Sequence, residues 1–133
     1  MKLLTKHTDY AVRALGYLAQ QGDRFVPSDE IAHSEKIPAY FLRRILNTLI
    51  KEKILNAKEG KTGGVQLAVS PAKVKVINLI NLFQGGVQLT ECMVRKNICP
   101  NRGKCLLRKN LLKAEQRLIN DIENIKLSDL INK

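Results

Sequence analysis

The sequence has 133 residues, of which 44% are hydrophobic, and this is enough to form one domain with an apolar core and no disulfide bonds. Lys and Arg number 23 against 12 Asp and Glu, and the formal charge of +11 favours a polyanionic partner such as nucleic acid. No apolar run approaches the roughly 18 residues of a membrane-spanning helix, and the charged start is unlike a signal peptide. Composition therefore argues against membrane, secreted and disordered proteins and predicts a basic, soluble, cytoplasmic one.

The first half of the chain has the pattern of a helix-turn-helix. An apolar stripe predicts a helix over Thr8–Gln21, ended by Gly22. A short helix is expected from Ser28 as N-cap, and a third over Pro38–Lys53 with its proline in the first turn. Donors and acceptors suited to base edges and phosphates lie on one face of the third helix: Tyr40, Arg43, Arg44, Asn47 and Lys51. Such a face is equally typical of a solvated helix. The helix follows a tight turn, however, and this position favours a role in nucleic-acid recognition.

A β-hairpin is predicted to follow. Its strands are Ile54–Lys58 and Val65–Val69, joined by a glycine-rich turn over 59–64. Glycines would let the backbone approach phosphate closely, and lysines would supply positive charge. The candidate DNA contacts of this wing are Lys58, Lys61, Thr62 and Gly63.

A further helix is expected from Ser70–Pro71 to about Phe83, ended by Gly85–Gly86. Its inward residues would be Val74, Ile77, Ile80 and Phe83. Together these elements predict a fold that is mainly α with a small β-hairpin wing. Residues 1–86 would form a winged helix-turn-helix that binds double-stranded DNA.

All the cysteines lie in or beside one cation-rich segment, predicted as a cysteine loop over 87–105. Their spacing, Cys92, Cys99 and Cys105, is wider than the close pairs of structural zinc sites, and an odd number does not suit a disulfide framework. Neighbouring cations favour the thiolate, and soft thiolates bind iron–sulfur clusters, zinc or cuprous ion. An iron–sulfur cluster is favoured because wide spacing suits a polynuclear group, with zinc or redox-active thiols as alternatives.

A long helix is predicted from about Leu106 to Lys126, because apolar residues recur at spacings of three and four. One reading is a helix folded back on its own core. The favoured reading is a dimerisation helix within 106–133, since paired winged domains reach the two half-sites of a pseudo-palindromic operator.

These motifs together resemble the Rrf-type winged-helix transcription regulators, which include iron–sulfur sensors of the IscR-like and NsrR-like branches. The resemblance covers nearly the whole chain. It begins with the run Leu4–Leu15, continues through Ile31–Ala32, the helix at Pro38–Lys53 and the glycines Gly63–Gly64, and ends with the cysteine triplet before a long helix. It implies a homodimer with one 4Fe-4S or 2Fe-2S cluster per subunit.

The resemblance also implies the ligands of that cluster. Cys92, Cys99 and Cys105 match the cysteine ligands, and the histidine that the IscR-like branch carries after its third cysteine is replaced here by Arg108. The Thr8–Asp9 pair is similar to the NsrR-like branch, in which such an aspartate from the partner subunit completes a 4Fe-4S site. Asp9 is therefore the expected fourth ligand, with the adjacent His7 as a weaker substitute.

The predicted function is that of a cluster-dependent DNA-binding regulator, a repressor, that senses nitric oxide, redox state or iron and cluster supply. The alternative is a DNA-binding regulator that uses its cysteines as thiol sensors or as a zinc site. A small electron-transfer protein would have no need of the polar helix face or the wing. An enzyme is not expected, because the sequence shows no catalytic triad, paired carboxylates or nucleotide fingerprint.

Overall fold

The computed structural model describes residues 4–87, 89 and 105–131. Helix α1 spans Lys6–Ala19 and confirms the predicted amphipathic helix. It begins two residues earlier than expected because the side chain of Thr5 caps it by accepting a hydrogen bond from the Thr8 amide. Its inner face is fully buried at the centre of the molecule and consists of Ala11, Ala14, Leu15 and Leu18.

Helices α2 (Ser28–Glu35) and α3 (Ala39–Lys51) form the helix-turn-helix. The turn between them passes through Lys36 in the left-handed conformation, at φ 55°. The prediction of Ser28 as N-cap was wrong, since Pro27 holds that place and no side chain caps the helix. Pro38 likewise precedes α3 as its N-cap instead of lying in its first turn.

The hairpin is present, with strands β1 (Leu55–Lys58) and β2 (Gly64–Leu67) paired antiparallel. Leu55 faces Leu67 and Lys58 faces Gly64, so each strand is one residue shorter than predicted, and β2 begins one residue earlier. Val26, just before α2, forms a bridge to Val65, with N–O distances of 2.8 and 2.9 Å. The wing is thereby attached directly to the helix-turn-helix.

The expected single helix after the wing is divided in two. Ser70 caps a short 3₁₀ turn at Pro71–Lys73, and helix α4 begins only at Val76 and runs to Gln84. Between them Lys75 is extended, because this stretch pairs with the C-terminal segment. Val74 and Ile80 are buried as predicted, whereas Ile77 and Phe83 are only half-buried and Leu79, which was not predicted, is buried.

Helix α5 spans Leu106–Ile122 and a short helix α6 spans Leu127–Ile131. The prediction that the long helix reaches Lys126 was wrong by four residues, since the chain turns to pair with the segment before α4. The Val76 amide donates to the Ile125 carbonyl at 3.0 Å, and the Leu127 amide donates to the Val74 carbonyl at 2.8 Å. Leu127 is fully buried, so the end of the chain closes over the core beside α1.

One hydrophobic core joins α1, α3, the hairpin, α4 and α6. Helix α5 lies outside it: within the described part of the chain no residue of α5 is buried, and Leu106 and Leu107 are 71% and 66% exposed. Over residues 4–87, 89 and 105–131, no helix is both long and apolar enough to cross a bilayer.

Candidate DNA-reading surface and cysteine site

The exposed face of α3 carries the predicted recognition residues. Leu42, Ile45 and Leu49 are buried on the inner face and fix the rotation of the helix. The opposite face is exposed along its length and consists of Tyr40, Arg43, Arg44, Asn47 and Lys51. The structure therefore brings these side chains together on one surface, as the sequence predicted, with Thr48 half-buried at its border.

The wing presents Lys58, Lys61 and Thr62 to solvent, also as predicted. Gly63 differs, because it is buried and its amide donates to the Gly60 carbonyl at 3.0 Å. A Cβ on Gly63 would overlap the Lys58 carbonyl across the hairpin. The glycine is thus required by the packing of the turn, whether or not DNA is bound.

Phe25, just before α2, contacts the wing and was not predicted as a neighbour of it. The Lys58 ammonium lies 5.7 Å from the centre of the Phe25 ring, within cation–π distance. Phe25 reaches β1 only because Val26 bridges to the hairpin, a long-range contact with no local sequence signal.

Aromatic rings join α1 to the recognition helix. Phe41 of α3 lies 5.6 Å from the ring of His7 and 6.1 Å from that of Tyr10, measured between centroids. Lys6 approaches the same ring at 5.7 Å. Phe41 is half-buried beside these rings, and its partner at the start of α1 is the candidate substitute ligand His7.

Asp9 lies on the surface of α1, where it pairs with Arg13 at 3.2 Å. Its side chain is 50% exposed and borders an open cavity of about 320 Å³ whose wall also includes Leu4, Thr5 and Tyr10. Arg13 donates in addition to the Glu35 carbonyl at 2.9 Å. An exposed ion pair of this kind contributes about 0–1 kcal/mol, so the carboxylate can exchange partners at little cost.

A polar link beneath Asp9 ties α1 to the end of α4. The buried hydroxyl of Thr8 donates to the side-chain carbonyl of Gln84 at 2.8 Å, and the Thr5 amide donates to the same oxygen at 3.1 Å. Gln84 is followed by Gly85, in the left-handed conformation at φ 78°, which ends α4 as the sequence predicted. The end of α4, shortly before the predicted cysteine loop, is thus attached to the helix that carries Asp9.

Cys105 is the one predicted cysteine ligand among the described residues, and Cys92 and Cys99 lie outside them. It is half-exposed and caps α5, with its Sγ accepting a hydrogen bond from the Arg108 amide at 3.4 Å. The positive end of the helix dipole favours negative charge at this place. Among the residues that the structure describes, no three His, Cys, Asp or Glu side chains converge as metal ligands.

One ion-pair network connects α1, the loop after it and α2. Arg24 pairs with Glu30 at 2.6 Å, and the Tyr17 hydroxyl donates to the same carboxylate. The hydrogen bond from Arg24, followed by that from Tyr17, lowers the pKa of Glu30 below its ordinary value. The hydrogen bond to Glu30 in turn raises the pKa of Arg24.

The helix-turn-helix, its exposed polar face and the attached hairpin define a winged helix-turn-helix DNA-binding protein. The model of the Rrf2 family, described as an iron-dependent transcriptional regulator, matches residues 4–133. The chain therefore belongs to the Rrf2 family and is a DNA-binding transcriptional regulator, not an enzyme. Regulators of this family act as dimers.

Curated relatives are similar over almost the whole chain. A protein of Aquifex aeolicus (strain VF5), named a putative HTH-type transcriptional regulator, is 30% identical over 125 residues, which cover 92% of this chain and 87% of that protein. The HTH-type transcriptional repressor NsrR of Streptomyces coelicolor is 29% identical over 130 residues, covering 96% of this chain and 87% of that protein.

Solved structures share the fold. CymR, the global cysteine regulator of B. subtilis, superposes with a TM-score of 0.79 at 17% identity, over 98% of this chain and 97% of that chain. IscR of T. potens superposes with a TM-score of 0.77 at 21% identity, over 98% of this chain and 86% of that chain. Identities this low indicate a common fold and no more.

Proposed function

We propose that this regulator is a homodimeric repressor whose binding to a pseudo-palindromic operator depends on an iron–sulfur cluster. The observation that carries the proposal is a thiol at the start of α5: Cys105 is half-exposed, at a helix end that favours an anionic ligand set. With Cys92 and Cys99 it completes a set of three soft donors, the type that iron–sulfur clusters use. The relationship to NsrR of Streptomyces coelicolor supports the same class of regulator.

The DNA is read by α3 and the wing. A helix whose exposed face carries two arginines and an asparagine has the side chains that bond guanine and adenine edges in the major groove. Lys58 and Lys61 on the wing add contacts to phosphate, which contribute affinity without sequence preference. Dimerisation through α5 would bury its exposed leucines and set two copies of α3 about one helical turn of DNA, roughly 34 Å, apart.

Asp9 is the better candidate for the fourth ligand than His7. The carboxylate of Asp9 is half-exposed beside an open cavity, and among the described residues its one partner is Arg13 in an exposed pair. His7 instead packs edge-on against Phe41, so that ligation would remove it from the contact that joins α1 to α3. The resemblance to the NsrR-like branch, in which such an aspartate completes the site, favours a 4Fe-4S group over 2Fe-2S, and Asp9 would hold it with the three cysteines.

The chain's own residues then connect the cluster to the reading surface. When bound, the cluster supplies iron that reacts with nitric oxide, oxygen or other oxidants. Gln84 holds the entry to the cysteine segment against Thr5 and Thr8, and α1 continues from there to the Phe41 contact on α3. A change in the position of α1 would therefore alter the spacing of the two recognition helices.

The test begins with anaerobic purification, visible absorbance and counts of iron and acid-labile sulfide per subunit. Binding to a duplex selected from a random library is then compared between the cluster-loaded and cluster-free dimers. We expect iron and sulfide in equal amounts and an affinity difference of at least about tenfold, or 1.4 kcal/mol. Colourless protein that contains zinc, or neither metal, after reconstitution would support the thiol or zinc alternative instead.

Two variants sharpen this test. Cys105→Ser keeps a side-chain oxygen that can cap α5 but removes a soft ligand, so the cluster should be lost while the melting temperature is retained. Asp9→Ala should destabilise the cluster, whereas Asp23→Ala, at an exposed acid in the loop after α1, serves as the matched control. A fully pigmented Cys105→Ser protein would contradict ligation by Cys105.

A further inference from the structure

Tyr40 and Arg44 form a pair on the exposed face of α3, one turn apart. The Arg44 Nη1 donates to the Tyr40 hydroxyl at 3.4 Å, and the guanidinium carbon lies 5.5 Å from the centre of the Tyr40 ring. Hydrogen bonding and a cation–π contact thus act on the same arginine. Both side chains are exposed, with Tyr40 at 66%, so the pair is not part of the core.

The Tyr40 ring is itself held in place. It meets the ring of Phe41 edge to face, with centroids 5.7 Å apart. Phe41 is half-buried against His7 and Tyr10 of α1, which makes it a fixed support. A tyrosine side chain has only two rotatable bonds, so this support leaves Arg44 a rigid neighbour.

Arg43 provides an internal comparison. It is exposed on the same helix face, but among the described residues it makes no hydrogen bond, ion pair or ring contact. Among the described residues, the two adjacent arginines therefore differ in their support: Arg44 has an aromatic neighbour that holds it, and Arg43 has no such contact.

We infer that Tyr40 is a positioning residue that determines sequence specificity by holding the guanidinium of Arg44 in orientation for a guanine in the major groove. This inference rests on the proposed role of α3 in reading DNA. Bidentate bonding to guanine requires the plane of the guanidinium to lie along the base edge. The hydrogen bond to Tyr40 uses an N–H group of Nη1, and the donors on Nη2 and Nε stay available to the base. An arginine held in this way loses less conformational freedom when it binds.

The experiment measures a specificity ratio for the full-length dimer, defined as the dissociation constant for a scrambled duplex divided by that for a library-selected duplex. Tyr40→Leu should lower this ratio about three- to tenfold without changing the affinity for the scrambled duplex. Tyr40→Phe keeps the ring and should lose a smaller part. In an Arg44→Ala background, Tyr40→Leu should have no further effect, because Tyr40 acts through Arg44. In an Arg43→Ala background, the full effect should remain.

Three results would overturn the inference. Equal effects of Tyr40→Leu with and without Arg44 would mean that Tyr40 contacts DNA on its own. A uniform loss on both duplexes would assign the pair to phosphate. An Arg44→Ala protein with an unchanged ratio would remove the arginine from base reading. Failure of the proposed function is separate, since equal affinities of cluster-loaded and cluster-free dimers would leave the Tyr40–Arg44 coupling intact.

Discussion

Gly64 offers the sharpest test of why the wing contains adjacent glycines. Its φ is +147°, which side-chain-bearing residues rarely adopt, and a Cβ there would overlap the carbonyl of Val26 and the nitrogen of Pro27. All these atoms belong to the backbone, so no side-chain rotation can relieve the overlap. Gly64→Ala therefore must both strain the backbone at residue 64 and separate the hairpin from Val26.

The energetic costs of the backbone strain and of the separation from Val26 can both be estimated. Strain at such a φ costs about 1–3 kcal/mol. Separation would weaken the pair of Val26–Val65 hydrogen bonds, each contributing about 0.5–1.5 kcal/mol net. The expected loss in the free energy of unfolding is about 2–6 kcal/mol. For a chain of 133 residues this corresponds to a fall in melting temperature of about 7–20 °C.

The assay is thermal unfolding by circular dichroism at one protein concentration, because dimers melt at concentration-dependent temperatures. Gly22→Ala is the matched control, since Gly22 has φ +65° and nothing within 4 Å of a Cβ. It should lose only the left-handed penalty of about 1–2 kcal/mol, or about 4–7 °C. If Gly64→Ala melts no lower than this control, the packing argument is wrong and close approach to phosphate becomes the better explanation.

The other predictions concern contacts between helices and the packing of the core. The lowered pKa of Glu30 implies stabilisation that is present above the ordinary carboxyl range and lost as pH falls through the lowered value, so Glu30→Gln should melt below wild type at neutral pH and match it in acid. A difference that persists in acid would assign the effect to something other than the Arg24 pair. Thr8→Val should lose about 1–3 kcal/mol in chemical denaturation because it removes the donor to Gln84, and Thr8→Ser should restore stability. Leu79→Ala should lose about 2–5 kcal/mol by the same measurement, whereas a loss below 1 kcal/mol would contradict its burial.

Elements with strong local periodicity were predicted well. The buried stripe of α3 and its exposed polar face follow directly from the helical repeat, and every predicted recognition residue is exposed. The wing was predicted from glycines between two short apolar runs, and its pairing confirms this. Helix ends were predicted less accurately, because Pro27, Pro38 and the pairing of Lys75 with Lys126 decide them.

The surroundings of the candidate site depend on contacts between distant segments more than on local periodicity. Nothing in the local sequence indicates that Phe25 lies under Lys58 or that Gln84 accepts hydrogen bonds from the start of α1. The partners of Phe41 are likewise rings that lie more than thirty positions earlier in the chain. The cysteine ligands and Asp9 stay predictions, since the structure describes only Cys105 of the three cysteines.

The sequence alone determined the basic charge, the helical and hairpin periods, and the polar face of the recognition helix, because each depends on residue type and on spacing within one element. Tertiary structure decided what lies between the elements: the attachment of the wing to Val26, the closing of α6 over the core, and the rings that support Tyr40 and Arg44. Such contacts depend on which faces of sequence-distant elements pack together when apolar surface is buried. The periodicity of side chains within one element does not specify its packing partner.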